Sequence, residues 1–66
     1  MDYQRLVSTL RKYCGERIYG VRVKGFEHRD RIVVETSIGI DVTFYLKTKI
    51  ENLTEDQIKE MCSWIP

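Results

Sequence analysis

Sixty-six residues, 42% hydrophobic and 32% charged, suit one small globular domain and exclude a disordered tail. Eleven Lys and Arg against ten Asp and Glu give a net charge of +1, so the total names no partner and only a local patch could. No apolar run approaches the ~20 residues of a membrane span, and Met1–Arg5 lacks a signal-peptide core, which leads us to expect a cytoplasmic protein.

Tyr3, Leu6, Val7, Leu10 and Cys14 share one helical stripe, with Arg5, Ser8, Thr9 and Lys12 on the opposite face. Gly15 stands where a left-handed cap would stop this helix. From Arg17 the period becomes two. Tyr19, Val21 and Val23 are predicted to point one way, and Ile18, Arg22 and Lys24 the other. Glu27-His28-Arg29-Asp30 suits a hairpin loop. A second strand follows, with Ile32, Val34 and Thr36 alternating with Arg31, Val33 and Glu35. Thr36-Ser37-Ile38-Gly39 fits a type I turn with Gly39 left-handed. The third strand alternates Ile40, Val42, Phe44 and Leu46 with Asp41, Thr43, Tyr45 and Lys47.

The last helix has a clear start. Thr54 can cap, Gln57 can reciprocate, and Leu53 and Ile58 can form a hydrophobic staple. Glu55 and Asp56 suit the positive end of the helix dipole. Ile58, Met61, Cys62 and Ile65 form the apolar stripe, and Trp64 falls at its edge, partly open. Tyr13 sits similarly off the stripe of the first helix.

The order αβββα predicts an α+β fold, a single compact domain over residues 1–66. Its sheet is a three-stranded antiparallel meander with both helices on one face. The other sheet face would then carry Ile18, Arg22, Lys24, Arg31, Val33, Glu35, Thr43, Tyr45 and Lys47. Such a face is either solvated, with cross-strand Arg–Glu pairs, or a contact surface anchored by Tyr and Arg.

Little chemistry is visible. His28 lies between Glu27 and Arg29 and reads as a solvated loop histidine, with no nucleophile in sight. The four glycines are isolated, and the carboxylates of Glu55 and Asp56 read as helix-start groups. Cys14 and Cys62 form no Cys-x-x-Cys pair, and two thiols with one histidine cannot build a structural zinc site. Two buried reduced thiols are expected, with a bridge between the helix ends as the alternative.

The segment Tyr19…Gly25-Phe26-Glu27-His28…Ile32, within an αβββα order, resembles the first strand and loop of the double-stranded RNA-binding domain. That resemblance implies a loop reaching a minor groove and lysines opening the second helix to grip phosphates. Here the helix opens with Glu55 and Asp56, and Lys47 and Lys49 precede it, so the likeness is one of element order. Basic groups at Arg22, Lys24, Arg29, Arg31, Lys47 and Lys49 nevertheless gather on the strands and first loop, and Tyr45 could stack a base.

The expected function is a small non-catalytic protein-binding module, an inhibitor or regulator of a larger protein such as phages and mobile elements encode. It would need no cofactor or metal and could form a homodimer. Nucleic-acid binding through the basic groups is the alternative. The expected partner-binding residues are Arg22, Lys24, Arg31, Val33, Tyr45, Lys47 and Trp64.

Overall fold

Helix α1 (Tyr3–Cys14) forms where the apolar stripe predicts it, and starts at a cap the stripe does not reveal. Asp2 is extended, and its carboxylate accepts the Arg5 N–H at 2.8 Å, satisfying one orphan donor of the first turn. In this computed structural model, which describes residues 1–25 and 30–66, Leu6, Leu10 and Cys14 are buried on the predicted side. Thr9, expected in water, is buried too; its hydroxyl donates to the Arg5 carbonyl at 2.7 Å, which removes the cost of burying it. Gly15 ends the helix at φ 63°, and a short 3-10 turn, Gly15–Arg17, leads into the sheet.

The sheet is an antiparallel meander of β1 (Ile18–Lys24), β2 (Arg31–Thr36) and β3 (Asp41–Tyr45), with β2 in the centre. The β2–β3 connection is the expected one. Gly39 has φ 85°, its N–H donates to the Thr36 carbonyl at 3.1 Å, and Thr36 N–H donates to the Ile40 carbonyl at 3.0 Å. Of the expected first hairpin loop, Glu27-His28-Arg29-Asp30, all but Asp30 falls within residues 26–29, outside the described residues, and the readings of His28 and Arg29 lie there too.

The first strand departs from strict alternation. Ile18 pairs with Thr36 and Gly20 with Glu35, so Tyr19 is an extra residue, a β-bulge. The bulge shifts the phase by one. Ile18, expected on the bare face, is buried in the core, and Tyr19, expected inward, is 75% exposed. Gly20, the residue after the bulge, pairs with Glu35, and a Cβ there would meet that carboxylate at an ordinary contact distance of 3.4 Å.

Helix α2 (Glu55–Cys62) begins at the predicted capping box, with Gln57 N–H on the Thr54 hydroxyl at 3.3 Å and Thr54 N–H on the Gln57 amide oxygen at 2.9 Å. Leu53 and Ile58, the staple pair, are both buried. Ahead of it a 3-10 turn, Ile50–Asn52, inserts Ile50 fully into the core, a residue that periodicity left unassigned. One cluster joins Leu6, Leu10, Ile18, Val21, Ile32, Val34, Ile50, Ile58, Met61 and Ile65, so both helices cover one sheet face. Arg22, Val33, Thr43 and Tyr45 lie on the other.

Cys14 and Cys62 are disulfide-bonded, with Cα atoms 5.3 Å apart. This corrects the expectation of two reduced thiols. The reason is geometric: the last turn of α1 lies across α2, and both cysteines occupy the buried stripe at that crossing. Among the described residues, no helix is long and apolar enough to cross a membrane.

Candidate interaction surfaces

The open sheet face is organised by Arg22. Its Nε lies 3.1 Å from Glu35 Oε1 and its Nη2 3.2 Å from Asp41 Oδ2, so one guanidinium ties all three strands together. Exposed pairs of this kind add little stability, but they balance the charge of Arg22 with two carboxylates. Val33, paired with Arg22 on one side and Thr43 on the other, is only 6% exposed. Val33 therefore offers almost no area to a partner, and the middle of the face resembles the solvated alternative more than a contact surface.

The two ends of the sheet differ from this middle and from each other. At one end Lys24 pairs with Arg31 and Arg31 with Tyr45, so two cations and an aromatic ring form a row across the strands. Tyr45 is 77% exposed. Lys47 lies just past the end of β3, on an open depression of about 200 Å³ lined by Asp30, Leu46, Thr48 and Lys49 as well. That volume is below the range of small-molecule sites, and the walls are shallow.

At the opposite end, four large apolar side chains stand in water. Ile38 and Ile40, on the β2–β3 turn, are 61% and 52% exposed, Tyr19 lies on the bulge, and Trp64 is 73% exposed. Arg17 brings these segments together. Its carbonyl accepts the Ser37 N–H at 2.9 Å, at the base of the turn. Its guanidinium donates to the Cys14 carbonyl at 3.0 Å, Cys62 at 3.3 Å and Ile65 at 3.0 Å. These carbonyls close the C-terminal ends of both helices, where a cation also opposes the dipoles. Trp64 lies in the short stretch between Cys62 and Ile65 whose carbonyls Arg17 holds at this end of the molecule.

The structure therefore divides the expected partner-binding residues. Lys24, Arg31, Tyr45 and Lys47 share one end, Trp64 occupies the other, Arg22 is engaged between them and Val33 is covered. The exposed apolar side chains Tyr19, Ile38 and Ile40 are not among those expected residues. An isoleucine in the second central position of a tight turn was the available signal for Ile38. Tyr19 depended on a bulge that alternation cannot show.

The helical layer carries one further cluster. The Tyr13 hydroxyl donates to Glu55 Oε1 at 2.5 Å and Lys12 Nζ lies 3.0 Å from the same oxygen, linking the end of α1 to the start of α2. The hydrogen bond from Tyr13, then that from Lys12, holds the Glu55 carboxyl below its usual range, while the same carboxylate raises Lys12 and Tyr13. A depressed carboxyl stabilises the fold above its unfolded pKa, near 4.5, and that contribution disappears as pH falls through the lower folded value. Glu55→Gln should therefore flatten this part of the acid limb in thermal melts below about pH 4.5, with little change in its shape near neutrality.

Among the described residues, no group of three or more His, Cys, Asp or Glu is placed to hold a metal ion. Comparison with protein-family models, with curated proteins and with solved structures finds no match for this chain. The arrangement is a small α+β domain whose distinctive surface lies at the two ends of its sheet.

Proposed function

We propose that this chain is a small protein-binding module, without catalysis of its own, that engages a larger protein through the apolar end formed by Tyr19, Ile38, Ile40 and Trp64. The observation that carries this reading is the exposure of those four side chains, on segments that Arg17 ties together by backbone hydrogen bonds at one end. Scattered apolar residues are ordinary on a surface, but four exposed ones at the same end, with Trp and Tyr among them, have the composition of an interface centre. An inhibitor or regulator that occludes its target fits a rigid anchor of this size, as phage and mobile-element proteins illustrate by analogy. The cystine weighs against the cytoplasmic setting expected from the sequence, because such bridges persist mainly in oxidising compartments.

The test is affinity capture with the wild-type chain and with Trp64→Ala/Ile38→Ser, with and without nuclease and at low and high salt. A discrete protein should survive nuclease and salt with the wild type. The double variant, folded by circular dichroism, should bind it at least about tenfold more weakly, while Lys24→Ala binds normally. A folded double variant that retains full affinity would remove the apolar end from the account. A second copy as the only partner would replace a foreign target with a homodimer.

A further inference from the structure

The basic end of the sheet is a separate surface, and we propose that the row Lys24–Arg31–Tyr45 binds single-stranded nucleic acid, with Lys47 and Lys49 extending the path of the phosphates. Three observations carry it. First, the register puts Lys24 directly opposite Arg31 on neighbouring strands. Like charges so placed oppose one another and destabilise a sheet, so the row gains nothing from its own folding. Second, the cations are scarcely neutralised. Arg31 has only Asp30, at 3.8 Å, and neither Lys24, Lys47 nor Lys49 has an ion-pair partner among the described residues. By contrast, Arg22 two residues away is satisfied by two carboxylates.

Third, the row ends in an aromatic ring. Tyr45 is more exposed than any other large apolar or aromatic side chain described, on the same open face as the two cations. Adjacent strands lie about 4.8 Å apart, so a ring and two cations in a row span about 10 Å, room for one stacked base and its neighbouring phosphates. An acidic peptide would satisfy the charges but would leave the ring without a role. A duplex would hide its base faces from Tyr45. The surface is positive locally although the chain is nearly neutral, because Glu55, Asp56 and Glu60 lie on α2 in the helical layer.

The test is fluorescence anisotropy of a labelled oligo(dT) or oligo(U) of about fifteen nucleotides with the full, oxidised chain over a range of salt. Binding should weaken with salt on a log–log slope of about −2 to −3, as three or four neutralised phosphates require. Tyr45→Ala should weaken binding about tenfold with the slope unchanged, and Tyr45→Trp should restore it. Lys24→Gln and Arg31→Gln should each flatten the slope by about 0.7. Trp64→Ala should change nothing here, which separates this surface from the protein-binding end.

No binding at protein concentrations near 0.1 mM (about −5.5 kcal/mol) would overturn the proposal. So would indifference to Tyr45→Ala, or equal affinity for an oligoglutamate of matched charge or for duplex of the same length.

Discussion

Replacing Cys14 and Cys62 together with alanine is expected to lower stability by about 4 kcal/mol, the chain-entropy value for a bridge closing a loop of this length. The two residues are 48 apart in sequence, so the bridge joins the end of the first element to the end of the last and restrains most of the unfolded chain. A domain of this size has roughly 3–10 kcal/mol in all. Loss of the bridge should therefore lower the melting temperature by about 20 °C or more, and the same shift should follow when the wild type is reduced. Thiol titration in denaturant should find no free thiol before reduction and two after it. The alanines add a smaller effect, since both sulfurs are buried between α1, α2 and the sheet. An unchanged melting curve with reductant would show that the helices hold together without the bond.

Arg17→Met should cost about 2 kcal/mol, measured by denaturant unfolding, and Arg17→Lys should recover only part of it. The guanidinium donates to three carbonyls, those of Cys14 and Cys62 at the two helix ends and that of Ile65 just beyond α2. A charged donor makes such bonds worth more than neutral ones, while the exposure of Arg17 keeps each below the buried value. An ammonium is a single point and cannot reach carbonyls on both sides, which is why lysine is a poor substitute. Methionine preserves the stem and removes the fork. The second consequence is local: with the last turn of α2 released, Trp64 should lose its fixed position. Its fluorescence anisotropy should fall before the far-ultraviolet signal changes.

The elements of this fold were legible because local and global preferences agree in most of the chain. Thr54, Gln57, Leu53 and Ile58 build the start of α2 as their spacing predicts, and Gly39 closes the β2–β3 turn. The departures occur where the backbone changes phase or where partners come from afar. Tyr19 is an inserted residue, and a bulge leaves the same alternating letters while exchanging inside for outside. Ile50 is buried by a 3-10 turn too short to show a period. Cys14 and Cys62 meet only because α1 crosses α2, a long-range fact that spacing does not contain.

The candidate surface was legible by residue type and not by place. Tyr45, Arg31 and Lys24 were assigned to one face correctly, since parity within β2 and β3 is regular. Their separation from Trp64 depends on Arg17, whose reach to Ile65 spans 48 residues. Val33 and Arg22 carry the composition of an interface centre, yet the ion pairs to Glu35 and Asp41 close over that part of the sheet.

The most direct test of the protein-binding account is a titration of isotope-labelled chain with the captured partner, followed by amide and indole resonances. The account predicts shifts concentrated at Tyr19, Ser37–Ile40 and Trp64, with the central face at Arg22, Val33 and Thr43 unmoved. Shifts running across that central face, with the Trp64 indole unperturbed, would contradict it.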